Sequence, residues 1–215
     1  IGMLGDTTGT ATIKGGDITG ALVVYGEATI SGGRFDVIQN WGTLTMTGGT
    51  VKNENKNEYG INYGIWTNVT KGKTDLSDVS ITAPIGVYVY QGQLTIREGV
   101  KITATEYGVD GINSNATLIG APSISGEEAD LYIRSMKATT DYPSVDATDY
   151  TGDELTVQER EFPDAHEGGY IGWAIKVPQD KQSLFQLTNS DGNFVYRYDE
   201  ASGALRLYNK NSHPI

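Results

Sequence analysis

The sequence predicts an all-β fold in which a single-stranded parallel β-helix is followed by a small antiparallel β module. Three observations lead to this prediction. The chain has 28 glycines among recurrent Thr, Val, Ile and Tyr, which favours short strands separated by turns, and it shows no long helical pattern. Short apolar segments recur at a constant spacing in the first part of the chain. From residue 154 the pattern changes to alternating strands joined by hairpin signals.

The repeat is clearest in four segments that begin at residues 64, 86, 108 and 130, a constant spacing of 22 residues. Two earlier segments begin at residues 21 and 36, and the polar stretch 53–59 lies in the long interval before residue 64. We interpret that stretch as a loop inserted into one repeat, which solenoids tolerate. No unit can bury its apolar face alone, so we expect successive coils to stack in parallel at about 4.8 Å per coil. An ordinary β-sandwich with evenly spaced strands is the alternative.

A second motif supports stacked coils over helical repeats. It consists of a short strand of alternating apolar and polar residues followed by a glycine turn, and it occurs at residues 9–16, 26–33, 42–49 and 92–99. Ankyrin, tetratricopeptide and leucine-rich repeats need a helix or a spaced leucine signature, and this chain has neither.

These coils resemble those of the pectin-lyase-like superfamily of right-handed parallel β-helices. They are most similar to the short Gly-Gly coils of large bacterial surface proteins and adhesins. The resemblance covers about residues 9–140 and is confined to the coil pattern. It implies a right-handed helix, but it carries over no catalytic residue, because the strands contain no Asp-Asp pair or Asn-Thr-Asp triplet and Arg134 is the only arginine near them.

The chain divides into three parts. We assign residues 1–140 to the β-helix, residues 141–153, which are polar and contain a proline, to a linker, and residues 154–215 to the antiparallel module. Within the module we predict strands at 155–157, 170–177, 184–188, 194–198 and 205–208, with hairpin loops at 189–193 and 199–203. Because an open coil end exposes edge strands and apolar core, we expect this module to act as a cap. A separate ligand-binding domain is the alternative.

Composition excludes several classes of function. The net charge of -11 and the absence of a Lys/Arg run argue against binding to nucleic acid or to an anionic membrane surface. The chain has no cysteine and no apolar run of the roughly 20 residues that would insert into a membrane. It begins Ile-Gly-Met without a visible signal peptide, as expected of a mature product or of a segment of a longer chain. We expect an extracellular or cell-surface location.

Candidate catalytic groups are few. The two histidines, His166 and His213, lack the sequence context of a nucleophilic site, and both are expected to be solvated. Asp110 is the only acidic residue in the middle of a repeated strand segment. We expect no cofactor, although Glu127, Glu128 and Asp130 offer oxygen ligands for calcium as the weaker alternative to a solvated turn.

The best candidate site is a column of residues on the outer face of the repeat. The apolar positions expected to point inward are Leu22, Val37, Ile65, Val87, Val109 and Leu131. Side chains alternate along a strand, so the next position in each repeat points outward. Those residues are Val23, Ile38, Trp66, Tyr88, Asp110 and Tyr132. Stacking would place Trp66 beside Tyr88, with Asp110 between Tyr88 and Tyr132.

Aromatic faces beside an acidic acceptor suit a sugar ring, which presents C–H faces and a rim of hydroxyls. Tyr25 and Tyr90 would lie on the same face, and Tyr59 and Tyr63 of the inserted loop could close over one end. The predicted ligand-binding residues are Trp66, Tyr88, Asp110, Tyr132, Tyr90 and Tyr63. The competing interpretation is that this column packs under the loop or the C-terminal module, or only stabilises the sheet through cross-strand pairs.

We therefore expect a non-enzymatic bacterial surface segment that adheres to, or binds, a polysaccharide or a host or cell-surface glycan. One alternative is a polysaccharide lyase or glycoside hydrolase that acts on acidic polysaccharides through Asp110 and neighbouring acids. The other is a passive stalk of a larger surface protein. The oligomeric state stays open.

Overall fold

A computed structural model of the chain describes residues 2–4, 9–53, 62–112, 114–134, 144–159, 170–188 and 194–209. Within these ranges the chain forms nineteen strands and one short 3₁₀ helix, Gln179–Leu184, so the predicted all-β class is confirmed. All the strands belong to one large mixed sheet. In chain order they are β1 (Gly2–Leu4), β2 (Thr10–Ile13), β3 (Asp17–Val24), β4 (Glu27–Ile30), β5 (Arg34–Asn40), β6 (Thr43–Met46), β7 (Gly49–Lys52), β8 (Tyr63–Leu76), β9 (Val79–Ile96), β10 (Lys101–Ile112), β11 (Ser114–Leu118), β12 (Ser123–Gly126), β13 (Ala129–Arg134), β14 (Ser144–Asp146), β15 (Leu155–Glu159), β16 (Tyr170–Lys176), β17 (Phe185–Leu187), β18 (Phe194–Asp199) and β19 (Ala204–Asn209).

Parallel pairing runs along the sheet in three ladders. The first ladder joins β1, β3, β5, β8, β9, β10, β13, β15 and β17. The second joins β2, β4, β6, β8, β9, β11, β14 and β16. The third joins β3, β5, β7, β9, β10 and β12. The longer strands take part in more than one ladder because they continue from one to the next.

The register of the first ladder follows the repeat in the sequence. Ile65 pairs with Val87, Val87 with Val109, and Val109 with Leu131. Each step advances the chain by the same 22 residues that separate the repeated segments. Repeat position therefore predicts correctly which residues lie side by side in this part of the sheet.

The core forms where alternate side chains of the three ladders meet. Its members include Leu22, Ile38, Ile65, Val87 and Leu131 from the first ladder, Ile30, Leu44, Leu76, Leu94 and Leu118 from the second, and Phe35, Val51, Ile81, Ile102 and Ile124 from the third. Fully burying one such side chain contributes about 1.5–3 kcal/mol. The alternation of apolar and polar residues thus places one contiguous apolar core along the length of the sheet.

One inward position was predicted wrongly. Val37 was expected in the inward column and Ile38 in the outward one, but Leu22 pairs with Ile38, and Gln39 takes the outward position. Val37 instead lies in a small outer cluster. When two adjacent residues are both apolar, alternation alone does not show which of them points inward. The pairing of β3 with β5 is also irregular between residues 18 and 21, which shifts the register.

The prediction of antiparallel strands from residue 154 is wrong for β15 and β17. β15 pairs in parallel with β13, and β17 pairs in parallel with β15. Antiparallel pairing among the described residues joins only β16 to β19 and β18 to β19. The alternation within a short strand indicates which face is buried, but it does not indicate the direction of the neighbouring strand.

Strand structure also lies within the range predicted as a linker. β14 pairs in parallel with β11 and with β16, and Tyr150 forms an isolated bridge to Gly120. The predicted turn at 199–203 is confirmed, with Gly203 donating its backbone N–H to the carbonyl oxygen of Asp199 over 2.9 Å. The other predicted hairpin loop, 189–193, lies outside the described residues.

The C-terminal strands extend the same core. Val177, Phe185, Leu205 and Leu207 are buried in one cluster with the apolar residues of the parallel ladders. Among the described residues, no helix has the length and apolarity that crossing a membrane requires.

Candidate functional site

The outer face of the first ladder carries a row of side chains that crosses seven paired strands. In order these residues are Val23, Gln39, Trp66, Tyr88, Asp110, Tyr132 and Gln158. The predicted neighbours are confirmed: Trp66 pairs with Tyr88, and Asp110 lies between Tyr88 and Tyr132. Gln39 replaces the predicted Ile38 for the reason given above.

Aromatic rings gather around Trp66 at one end of this row. Its ring centroid lies 5.4 Å from Trp41, 5.4 Å from Tyr63 and 6.4 Å from Tyr88. Tyr25 extends the group by stacking on Trp41 at 6.1 Å. Such ring pairs contribute about 0.5–1.5 kcal/mol each beyond the area they bury, so the group stabilises its own arrangement.

A second pair of rings lies at the other end. Tyr107 and Tyr132 stack with centroids 4.4 Å apart. Burial raises the pKa of Tyr107, and its hydrogen bond to Glu128 raises it further. We call the two ring groups together the aromatic stripe, which comprises Tyr25, Trp41, Tyr63, Trp66, Tyr88, Tyr107 and Tyr132.

An ion pair joins the two ring groups. Nε and a terminal nitrogen of Arg134 each donate a hydrogen bond to a carboxylate oxygen of Asp110, with Nε to Oδ1 at 2.8 Å. The guanidinium carbon lies 5.7 Å from the centre of the Tyr88 ring and 5.1 Å from that of Tyr132. These distances are within the range of cation–π attraction, so Arg134 is held both by the carboxylate and by a ring from each group.

The Asp110 carboxylate is buried, with a side chain only 2% exposed against 22% for Arg134. Burial raises the pKa of Asp110 to about 6, and this effect exceeds the opposing effect of Arg134. Glu106 acts in the same direction as burial. Asp110 emerges on the outer face of the sheet, but Arg134 closes over its carboxylate and donates a hydrogen bond to each oxygen, so the carboxylate is not an exposed acceptor.

A second column of side chains supports the stripe from one side. Val37, Tyr63 and Ile85 form a buried cluster, against which Trp66, Tyr88 and Tyr107 pack. Gln39 donates its side-chain N–H to the Tyr63 hydroxyl over 3.0 Å. Tyr63 is therefore buried, and Trp66, Tyr88 and Tyr107 are half-buried and held in place. Trp66 Nε1 is buried and has no hydrogen-bond acceptor in the described part of the chain.

The sequence also predicts Tyr63, Tyr90, Tyr25 and Tyr59 on or beside this face. Tyr63 begins β8, which corrects its assignment to the inserted loop. Tyr90 is half-buried on β9, beside an irregularity in the pairing with β8. Tyr25 is 37% exposed, the most exposed large apolar side chain among the described residues. Tyr59 lies outside the described residues.

Three residues of the site were missed from the sequence. Tyr107 precedes the repeated glycine Gly108, just as Tyr63 precedes Gly64. The shared position of these two tyrosines in the repeat could have identified Tyr107. Trp41 lies two residues beyond Gln39 and its ring contacts Trp66, and the error in the phase of β5 hid it. Arg134 likewise lies two residues beyond a residue of the row, Tyr132. Its contact with Asp110 could not be predicted, because it depends on the conformation of the long Arg134 side chain.

The acidic residues proposed as calcium ligands are partly engaged elsewhere. Asp130 Oδ1 accepts the backbone N–H of Gly126 at 3.0 Å, and Oδ2 accepts the backbone N–H of Thr156 at 2.7 Å. In the described ranges, no three His, Asp or Glu side chains form a group that could hold a metal ion. His166 and His213 lie outside these ranges.

Comparisons with protein-family models, with curated proteins and with solved structures find no match to this chain.

Proposed function

We propose that this chain is a non-enzymatic carbohydrate-binding or adhesion segment, built on a right-handed parallel β-helix and presented outside the cell or on its surface. The aromatic stripe is the binding face.

The helix is supported by the pairing pattern. Three parallel ladders alternate along the chain, and β9 takes part in all of them, which is expected when each turn of the chain contributes one strand to each of three faces. Parallel neighbours in one sheet are connected almost always with right-handed crossovers, which favours the right-handed form. The resemblance to pectin-lyase-like coils favours the same hand.

The observation that carries the function is the continuity of the aromatic stripe. Ring contacts run from Tyr25 through Trp41 and Trp66 to Tyr88, and Arg134 joins Tyr88 to Tyr132. Apart from the buried Tyr63, the rings are partly exposed, and such faces offer the C–H faces of sugars an apolar support, while the polar edge groups beside them suit hydroxyls.

The enzymatic alternative has less support at this site. Glycoside hydrolysis needs two carboxyl groups roughly 5–10 Å apart across the scissile bond. At the stripe, the Asp110 carboxylate is buried and accepts two hydrogen bonds from Arg134, so neither oxygen is directed at a ligand.

A glycan array tests the proposal. The protein is expected to bind a subset of glycans, and the double variant Trp66→Ala, Tyr88→Ala is expected to lose that binding while keeping its β-sheet circular dichroism spectrum. Tyr208→Ala, which removes a ring from the C-terminal hairpin, serves as the control and should bind as the unmodified protein does. Binding that survives in the double variant would remove the stripe from the proposal, and an array without any signal would favour the passive stalk.

A further inference from the structure

We infer that the aromatic stripe takes an uncharged polysaccharide laid across the strands, and that the Asp110–Arg134 ion pair makes the site discriminate against polymers of uronic acids. This inference rests on the proposed function and adds the class of ligand.

The length of the stripe indicates a polymer. The residues Tyr25 and Tyr132 lie on or directly after the first and last of six neighbouring strands of the first ladder, β3, β5, β8, β9, β10 and β13. Five steps between strands correspond to about 24 Å. A single sugar ring covers only part of such a distance, whereas an extended glycan chain can contact both ring groups at once.

The local charges indicate an uncharged polymer. Arg134 is the cation that the stripe holds, and its charge is balanced by Asp110 at hydrogen-bond distance. Glu106 raises the pKa of Asp110 through charge repulsion, and Glu128 forms a hydrogen bond with Tyr107. Two more acidic residues therefore border the second ring group. The whole chain carries a net charge of -11. An anionic polymer would meet this negative charge, and Arg134, the cation in contact with the rings, is already paired with Asp110, which disfavours association of the polymer.

The ion pair can determine which polymers bind, because a ligand can reach Arg134 but not Asp110. Arg134 is 22% exposed, whereas Asp110 is buried beneath it. Removing the Asp110 charge would leave the guanidinium in place between the rings, with its charge available to a carboxylate of the ligand. The same protein scaffold would then accept uronic acids.

Polymers that share a backbone and differ in charge provide the test. Hydroxyethyl-cellulose is compared with carboxymethyl-cellulose, and methyl-esterified with de-esterified homogalacturonan, by affinity gel electrophoresis at low salt. The unmodified protein is expected to bind the uncharged member of a pair at least about fivefold more tightly, with the difference narrowing at high salt, where charge repulsion is screened.

Two asparagine variants isolate the ion pair. Asp110→Asn and Asp75→Asn each remove one negative charge, and Asp75 forms an exposed ion pair with Arg97 on the second ladder, at 2.8 and 2.9 Å. Asp110→Asn is expected to improve binding of the acidic member by about fivefold, whereas Asp75→Asn should leave the ratio between the two members unchanged. Thermal unfolding checks that both variants are folded.

The outcomes separate the two proposals. Equal or tighter binding of the acidic member by the unmodified protein, or the same shift in both asparagine variants, overturns this inference and leaves carbohydrate binding intact. Absence of binding to these polymers and to every glycan of the array overturns the proposed function, and this inference with it.

Discussion

Arg134 lies diagonally across β10 and β13 from Asp110 and closes over its carboxylate. Asp110 pairs with Tyr132 in the sheet, and Arg134 follows Tyr132 by two residues, so both side chains emerge on the same outer face. The Arg134 guanidinium contacts the Tyr88 and Tyr132 rings, and the carboxylate beneath it is buried. This arrangement couples the stability of the site to the protonation of one buried acid.

The stability of the protein should depend on the Asp110 titration in a defined direction. The pKa of this carboxyl is about 6 in the folded chain against an ordinary value of 3.8, so folding favours its protonated form. Its stabilising contribution is complete below pH 3.8 and is lost as the pH rises through 6. Relative to Asp110→Asn, the free energy of unfolding should fall by about 2 kcal/mol between pH 4.5 and 7. Urea denaturation of both proteins at the two values measures this, and a constant difference would contradict it.

The glycine that directly precedes the inward residue in the 22-residue repeat, at positions 64, 86 and 108, should not tolerate a side chain. A Cβ at Gly108 would lie 2.5 Å from Cγ2 of Ile124 and 2.6 Å from the carbonyl oxygen of Asp130 on the neighbouring strand. We expect Gly108→Ala to reduce the free energy of unfolding by about 3 kcal/mol, because backbone on the next strand cannot move away cheaply.

The matched control for this substitution is Gly15→Ala. No atom lies within 4 Å of a Cβ built at Gly15, so this variant should unfold within about 0.5 kcal/mol of the unmodified protein. Equal effects of the two substitutions in urea denaturation would show that close approach between strands does not explain the repeated glycine.

A buried hydroxyl should be required at Thr74. Asn40 Nδ2 donates to Thr74 Oγ1 over 2.9 Å, and the Thr67 and Thr74 hydroxyls lie 2.6 Å apart, all within the core. Thr74→Val keeps the shape of the side chain but removes the hydroxyl, so Asn40 and Thr67 each lose a hydrogen-bond partner. We expect a loss of about 1–3 kcal/mol in the free energy of unfolding. Thr74→Ser retains the hydroxyl and should recover most of that loss. Chemical denaturation of the two variants compares them directly, and equal losses would assign the effect to the methyl group.

Trp41 should contribute to polysaccharide binding although its position was not predicted. Its ring lies between Tyr25 and Trp66, so its removal interrupts the stripe. Trp41→Ala is expected to weaken binding by about tenfold, the loss of one stacking contact. Affinity gel electrophoresis with the polymer that the unmodified protein binds best measures it. An unchanged affinity would confine the binding face to the rings beyond Trp41.

Much of this architecture could be predicted from residue spacing. The 22-residue interval placed Trp66, Tyr88, Asp110 and Tyr132 in one row, and the sheet register confirms it. Prediction failed at β5, where the apolar pair Val37-Ile38 left the phase of the strand undetermined. It failed again at β15 and β17, because alternation in a short strand carries no information on strand direction.

The chemistry at the centre of the stripe depends on the folded arrangement. Spacing and alternation were sufficient for the all-β class, the parallel neighbours and the face on which Asp110 emerges, because these follow from the geometry of a repeating strand. Spacing and alternation did not show that Asp110 is buried, that it pairs with Arg134 or that its pKa is raised. Desolvation and ion pairing depend on which side chains close over a group in space. Those contacts come from residues 24 positions apart on neighbouring strands, and only tertiary packing brings them together.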